Sequence, residues 1–289
     1  MNNNRGLTVF AHIFYIIVTL CVAFPLFAAV MVSFSTEKDV VTYGFQLIPR
    51  HFTTAAYDMV FSKAGGVIRA VFVTIVSALA SSALLVLLTA SFAYVMTQPK
   101  FEYRKLLTVF FLIPMFFNGG LIPTYILVTQ YLHMGNSFLV YIFVGLFNFG
   151  NVLLLRASFQ QVPKELLESA QIDGANQVIV FFKIMIPLSA SMIAMIFCMN
   201  LLSRWNDFQT SLYYIDNPNL YTIQYLLQLT LQDVQTTNQA YAEVVGYELQ
   251  PALTLQYAMS MVAAVPVFIA FPFMQKYFSK GITVGSVKG

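Results

Sequence analysis

PKELLESAQIDGANQVIVFFKIMIP, residues Pro163 to Pro187, lies between two long apolar runs and gathers several charged residues amid hydrocarbon. Pro163 suits the first position of a helix, with Lys164 and Glu165 in the first turn. Leu166, Leu167 and Ala170 share one side of that helix, while Glu165, Glu168 and Ser169 fall towards the other. Asp173-Gly174 ends it, because glycine tolerates positive φ and commonly follows a helix end. The helix has about two and a half to three turns at 3.6 residues per turn. That is too short to cross a bilayer. It is expected to lie beside the membrane, exposed, where a partner can grip it. An amphipathic helix that only ties two spans together reads the same way from physics alone.

The composition sets the surroundings. Of 289 residues, 58% are hydrophobic and 9% charged, against about a quarter charged in soluble domains. A mean hydropathy of +0.73 makes lipid or other apolar helices the solvent for most of the chain. The length accommodates six spans of about 20 residues with their loops, as one membrane domain over residues 1–289. The net charge of +3 is too slight to suggest nucleic acid. Cys21 and Cys198 lie within apolar runs and read as small core hydrophobes. His12, His51 and His133 are scattered without ligand spacing, so no metal site is expected. The first apolar run is too long for a signal-peptide core and lacks a small-residue cleavage signature, so it reads as a retained span.

The expected spans cover residues 9–33, 67–96, 106–131, 137–155, 184–208 and 253–273. Pro25 is expected to kink the first. Residues 34–66 read as an external loop with short helical pieces, 210–250 as a polar external loop, and 276–289 as a tail. With the 163–173 helix on the cytoplasmic side, ten of the fifteen Lys and Arg fall inside, including Arg5, Lys100, Arg104 and Lys105. That asymmetry fits both termini in the cytoplasm.

Two stretches hold candidate pathway residues. The third span is broken by Pro114, Asn118-Gly119-Gly120 and Pro123. Non-helical backbone at membrane depth survives only where it is buried in protein or lines a wet cavity, which would put Asn118 and Tyr125 beside a passing solute. A simple kink at a span end accounts for the same residues. In the fifth span, Asn200, Arg204 and Asp207 fall at i, i+4 and i+7 on one face. Intramembrane polar groups usually face the bundle interior, although Arg204 and Asp207 could simply pair with each other. Trp205, Tyr213 and Tyr214 near the end of this span read as aromatic anchors at a membrane interface.

Glu168-Ser169-Ala170, then Gly174, then Ile184-Met185-Ile186-Pro187 resembles the EAA loop of importer permeases in the ATP-binding cassette (ABC) superfamily. This chain departs from that pattern at Ser169, where the family has Ala, and at Ile186, where it has Leu; both changes are small in volume. Trp205-Asn206-Asp207-Phe208 is similar to the Trp-Asn-x-Phe stretch of sugar permeases. The ending KGITVGSVKG resembles the tail of the maltose-importer permease that lacks a large external domain. NGGLIPTY and PFMQKYFSKGITVGSVKG look most like the oligosaccharide and polysaccharide branch of that carbohydrate-uptake group.

The resemblance implies an all-α membrane protein of the type I ABC importer permease fold, six transmembrane helices with a cytoplasmic coupling helix. It implies that Glu168, Ser169, Ala170, Asp173, Gly174, Ala175 and Pro187 couple to an ATPase, and that Gly285, Ser286, Lys288 and Gly289 reach between two ATPase subunits. The implied partners are a second, homologous permease forming a heterodimer, two ATP-binding subunits holding ATP and Mg, and an extracytoplasmic solute-binding protein docking on the 210–250 loop. The implied cargo is an oligosaccharide, and the implied place is the bacterial cell (inner) membrane. Asn118, Tyr125, Asn200, Trp205 and Asn206 are the candidate solute contacts. This chain carries no Gly-x-x-x-x-Gly-Lys-Ser/Thr loop and is expected to bind no cofactor itself.

Other classes fit less well. An intramembrane enzyme needs a nucleophile and base or paired carboxylates inside the spans, and the acids avoid the apolar runs except for Asp207 at the end of the fifth. A secondary transporter has no use for a helix of the EAA kind and usually shows internal repeats. Within the ATP-driven class, import of an amino acid or phosphate is the alternative.

Overall fold

The structure is a computed structural model that describes residues 4–62, 64–117, 119–230, 232 and 253–284. All its named elements are helical, and one isolated antiparallel pairing joins Ser35 to Phe52. In chain order they are α1 (Asn4–Ser33), α2 (Glu37–Tyr43), α3 (Ala55–Ser62), α4 (Ala64–Thr97), α5 (Arg104–Phe116), α6 (Leu121–Tyr131), α7 (Leu139–Phe143), α8 (Phe149–Phe159), α9 (Lys164–Ile172), α10 (Gln177–Leu188), α11 (Ala190–Trp205), α12 (Gln209–Tyr214), α13 (residues 223–230) and α14 (Leu253–Val284).

Among the described residues, three stretches are long and apolar enough to cross a membrane unbroken: Thr8–Ser33, Gly66–Thr97 and Leu253–Pro272. The pairs α5–α6 and α10–α11 pass the same test only when each is taken together across a break, the second bending by 78°. The second bend follows the backbone chemistry. Pro187 has no N–H to donate. The chain ahead of it widens into a π turn over Phe181–Met185, and the helix restarts beyond Ser189. The expected span over 184–208 is therefore corrected to α10 followed by α11.

The fourth expected span, 137–155, is also corrected. It is two short helices, α7 and α8, parted at Gly145 with φ +68°. Asn148 starts the second by accepting from the amides of Gly150 and Asn151 at 2.8 and 3.4 Å. Apolar composition fixed the length of this segment, and one glycine with one capping side chain fixed its break.

The elements gather into two compact groups. One contains α1 to α3, the start of α4, and α14 as far as Pro266. Here the chain leaving α1 folds back on itself. Phe34 stacks on Phe52 at 5.2 Å, and the Thr53 amide donates to the Phe34 carbonyl at 2.9 Å. Pro25 lies inside α1, which the structure runs as one helix. Cys21 on α1 is exposed, whereas Cys198 on α11 is buried. Helix α14 continues to Val284, so the first part of the expected 276–289 tail is helical.

The other group holds the larger core. Leu85, Ala90, Ala93 and Tyr94 of α4 pack with Val152, Leu155 and Phe159 of α8, Val180, Phe181 and Met185 of α10, and Ile196 of α11. Lipid is as apolar as leucine, so van der Waals fit and hydrogen bonds between helices decide such packing. Ser82 on α4 donates to Asn200 on α11 at 3.0 Å, and Tyr94 on α4 donates to Gln177 on α10 at 2.5 Å.

The connection expected as a loop over 210–250 is ordered in its described part. Tyr141 bonds Ser211 at 2.7 Å and the Leu220 carbonyl at 2.7 Å, and Ser211 bonds Thr222 at 3.0 Å. Ser211, Thr222 and Tyr141 are all buried. Hydroxyls that read as loop polarity satisfy one another here, which makes their burial tolerable.

Candidate functional site

Helix α9 stands out from this core. Pro163 is its cap residue, at φ −56° and ψ 130°, and the helix proper begins at Lys164. Leu167 and Ala170 pack on the main core together with Ala175. Leu166, expected on that same side, is 47% exposed, and Ile172 is 86% exposed. Their spacing explains this: 167 and 170 lie three apart on the packed stripe, and 166 is turned about 100° away from 167 at 3.6 residues per turn. Glu168 and Ser169 are exposed. The Ser169 hydroxyl donates to the Glu165 carbonyl at 2.8 Å, so serine at this position satisfies itself within the helix.

The end of α9 accounts for the spacing of its motif. Ala175 N–H donates to Ala170 O at 2.9 Å, and Gly174 N–H donates to Gln171 O at 3.1 Å. Gly174 lies at φ +79°. These two bonds form the closed helix end in which a residue in the left-handed region follows the cap. The third motif residue, Ala170, therefore gives the carbonyl that the chain beyond Gly174 returns to. Asp173 is the cap, its N–H donating to Ser169 O at 3.0 Å. Asn176 then opens α10 by accepting from the Ile179 amide at 2.9 Å. Phe181 packs on Tyr94 at 5.1 Å, seating the loop on α4. Pro187 ends the motif at the 78° bend.

A second site lies where α11 ends. A recess of about 420 Å³ is lined by Arg204, Asn206, Asp207, Gln209, Tyr213 and Tyr214, with Leu121, Val144 and Gly145 among its other walls. Arg204 donates through Nη2 to the Val144 carbonyl at 2.6 Å, and its Nη1 lies 3.7 Å from Asp207 Oδ2. Asp207 also accepts from the amide and hydroxyl of Thr210 at 3.0 and 2.5 Å, which starts α12. One guanidinium thus holds the α7–α8 break and the α11–α12 turn together. Sequence spacing predicted the Arg204–Asp207 pair; the bond to Val144 depends on a tertiary approach no local pattern encodes.

Of the candidate solute contacts, only Asn206 lines this recess among the described residues. Asn206 is exposed, donating to the Leu202 carbonyl at 2.9 Å and accepting from Gln224 at 3.3 Å. Trp205 is 7% exposed and is not among the lining residues. Tyr125 stacks on Tyr214 at 5.8 Å. Asn200 turns to Ser82 on α4 and does not join Arg204 and Asp207 at the recess. Asn118, Gly285, Ser286, Lys288 and Gly289 lie outside the described residues. Among the described residues no cluster of His, Cys, Asp or Glu could hold a metal ion.

This geometry can be set beside known proteins. The family described as binding-protein-dependent transport system inner membrane component matches residues 86–284. A polygalacturonan/rhamnogalacturonan transport system permease protein of Bacillus subtilis, YtcP, is 32% identical over 289 residues, covering 99% of each chain. Protein LplC of the same organism is 34% identical over 259 residues, 89% of this chain and 86% of that one. The crystal structure of a bacterial ABC transporter involved in the import of the acidic polysaccharide alginate contains a chain matching 96% of this one with a TM-score of 0.82. At 23% identity that likeness establishes the fold, that of a type I importer permease. This chain belongs to the family of binding-protein-dependent inner membrane transport components.

Proposed function

We propose, from that membership, that this chain forms half of the translocation pathway of an ATP-driven oligosaccharide importer. It pairs with a second, homologous permease and with two ATPase subunits, which bind ATP and Mg; the chain itself binds no cofactor. It sits in the bacterial cell membrane with both termini and α9 on the cytoplasmic side, and an extracytoplasmic solute-binding protein delivers the sugar. The observation that supports this best is α9 itself, a short exposed helix closed at Gly174 and seated on the core through Leu167 and Ala170. Such an element has a free face for a partner and a rigid back that carries the partner's motion into α4, α8 and α10. The sequence similarity to a polygalacturonan/rhamnogalacturonan permease supports an oligosaccharide cargo.

In this mechanism ATP closes the ATPase pair and α9 moves with it. The packed helices rock about a central cavity, and the Pro187 bend lets α10 and α11 move as separate segments. ATP supplies the differential stabilisation of the two states that a population shift requires. The recess beside Arg204 offers planar polar groups and tyrosine faces, a fit for the hydroxyl edges and C–H faces of a sugar.

Purification of the tagged chain from membranes in mild detergent tests the reading. Recovery of a second permease and an ATPase, with hydrolysis stimulated by an oligosaccharide-loaded binding protein, is the expected result. Recovery of the chain alone, with no associated ATPase, contradicts it.

A further inference from the structure

The described part of helix α14 opens at Leu253. The first amides of a helix have no partner within it and take an acceptor from elsewhere. The acceptor comes from 216 residues upstream. Glu37 Oε1 accepts from the Leu253 amide at 2.9 Å. Glu37 Oε2 accepts from the Thr254 amide at 3.0 Å and from the Thr254 hydroxyl at 2.8 Å. Glu37 is 9% exposed and Thr254 1%.

The carboxylate is itself held firmly. Glu37 is the first residue of α2, whose start is capped by Thr36 accepting from the Asp39 amide. Asp39 accepts from the Thr36 hydroxyl at 2.8 Å and lies 2.9 Å from His51 Nδ1. The Ser35–Phe52 pairing and the Phe34–Phe52 stack close the segment behind it. Two backbone amides and a hydroxyl on one carboxylate are charge-assisted bonds, and a negative group at a helix N-terminus is favoured by the helix dipole. Opening the contact would strand a buried carboxylate and two amides together.

We propose that Glu37 is a positioning residue for import. Its carboxylate joins the segment after the first span to the start of the last span as one body that stays closed through the transport cycle. A load reaching Leu253 along the preceding chain is then shared with α1. This rests on the reading of the chain as a permease that receives solute from a binding protein.

Hydrogen exchange of the assembled complex in nanodiscs tests it, at rest and after trapping with MgATP and orthovanadate. Wild-type Leu253 and Thr254 amides exchange equally slowly in both states. Glu37→Ala speeds both about tenfold or more, Glu37→Gln less, and Thr254→Val least. Equal exchange in wild type and Glu37→Ala overturns the cap, and loss of wild-type protection on trapping overturns its permanence. The second readout is ATPase activity with the co-purified solute-binding protein and oligogalacturonides, divided by basal activity. That ratio falls about fivefold in Glu37→Ala while basal activity holds, and partly recovers in Glu37→Gln. An unchanged ratio beside accelerated exchange overturns the positioning role. A wild-type complex that protects these amides but responds to no binding protein overturns the import reading instead.

Discussion

The amide of Ala175 returns to the carbonyl of Ala170 at 2.9 Å, around a glycine at φ +79°. Helix α9 is thus ended by a backbone turn rather than by a side chain. Its first residue past the turn lies on the same core as the residue it returns to. A force applied to α9 therefore reaches α4 and α8 without a flexible joint between.

Substitution at Gly174 measures what that turn contributes. Open space surrounds the position, so the cost is backbone strain and not a clash. Left-handed φ costs an ordinary residue about 1–2 kcal/mol, and asparagine less. Transport and stimulated ATPase activity are expected to fall in the order Gly, Asn, Ala, Val, with the permease still inserted and folded. Equal coupling in Gly174→Ala and wild type would show that the turn is not needed.

Arg204 holds two breaks at once, so its loss leaves both the Val144 carbonyl and Asp207 short of a partner. Arg204→Ala is expected to cost about 2–3 kcal/mol, since stranding buried partners costs more than a bond contributes. Gly145→Ala strains the same place, because φ is +68° and a Cβ there meets Arg204 Nη2 at 3.4 Å. Thermal unfolding in detergent should show the two substitutions to be non-additive, as residues sharing a contact are. Strict additivity would separate them.

Asp39 sets an acid dependence. Its carboxyl is held below the ordinary 3.8 first by the Thr36 hydroxyl and then by His51. A depressed folded-state value means the carboxylate stabilises the fold above the ordinary value and loses that contribution as pH falls through the lowered one. Wild type should exceed Asp39→Asn in unfolding temperature at neutral pH, and the gap should close below 3.8. A gap of constant size across the range counts against the assignment.

Tyr141→Phe removes one hydroxyl that bonds both Ser211 and the Leu220 carbonyl. Leaving those buried groups unpaired should cost about 1–3 kcal/mol. Exchange of the amides in residues 211–222 should quicken, while those of α9 stay unchanged. Uniform quickening would mean the network is not local.

The sequence carried the architecture wherever a local rule was enough. The three unbroken spans follow from length and apolarity, and α9 from its proline start and glycine stop, whereas the fifth span was expected unbroken and bends at Pro187. What it did not carry depended on distant approach. Gly145 gave no local sign that it would part α7 from α8. Ser211, Thr222 and Tyr141 scored as polar loop and aromatic span until the fold joined their hydroxyls. Asn200 shares a helical face with Arg204 by counting, yet Ser82 turns it to another neighbour. Glu37 capping Leu253 and Thr254 was equally hidden, since its partners lie at the far end of the chain.

If an ATPase grips α9, the contact falls at Ile172, 86% exposed at the helix end. A photo-crosslinking residue placed at Ile172 in the intact membrane, with a second at Ile48 for comparison, measures the contact directly. The expected result is an adduct between Ile172 and a nucleotide-binding subunit, and none with that subunit from Ile48. An adduct only with lipid at Ile172, in membranes where the ATPase is present, would contradict it.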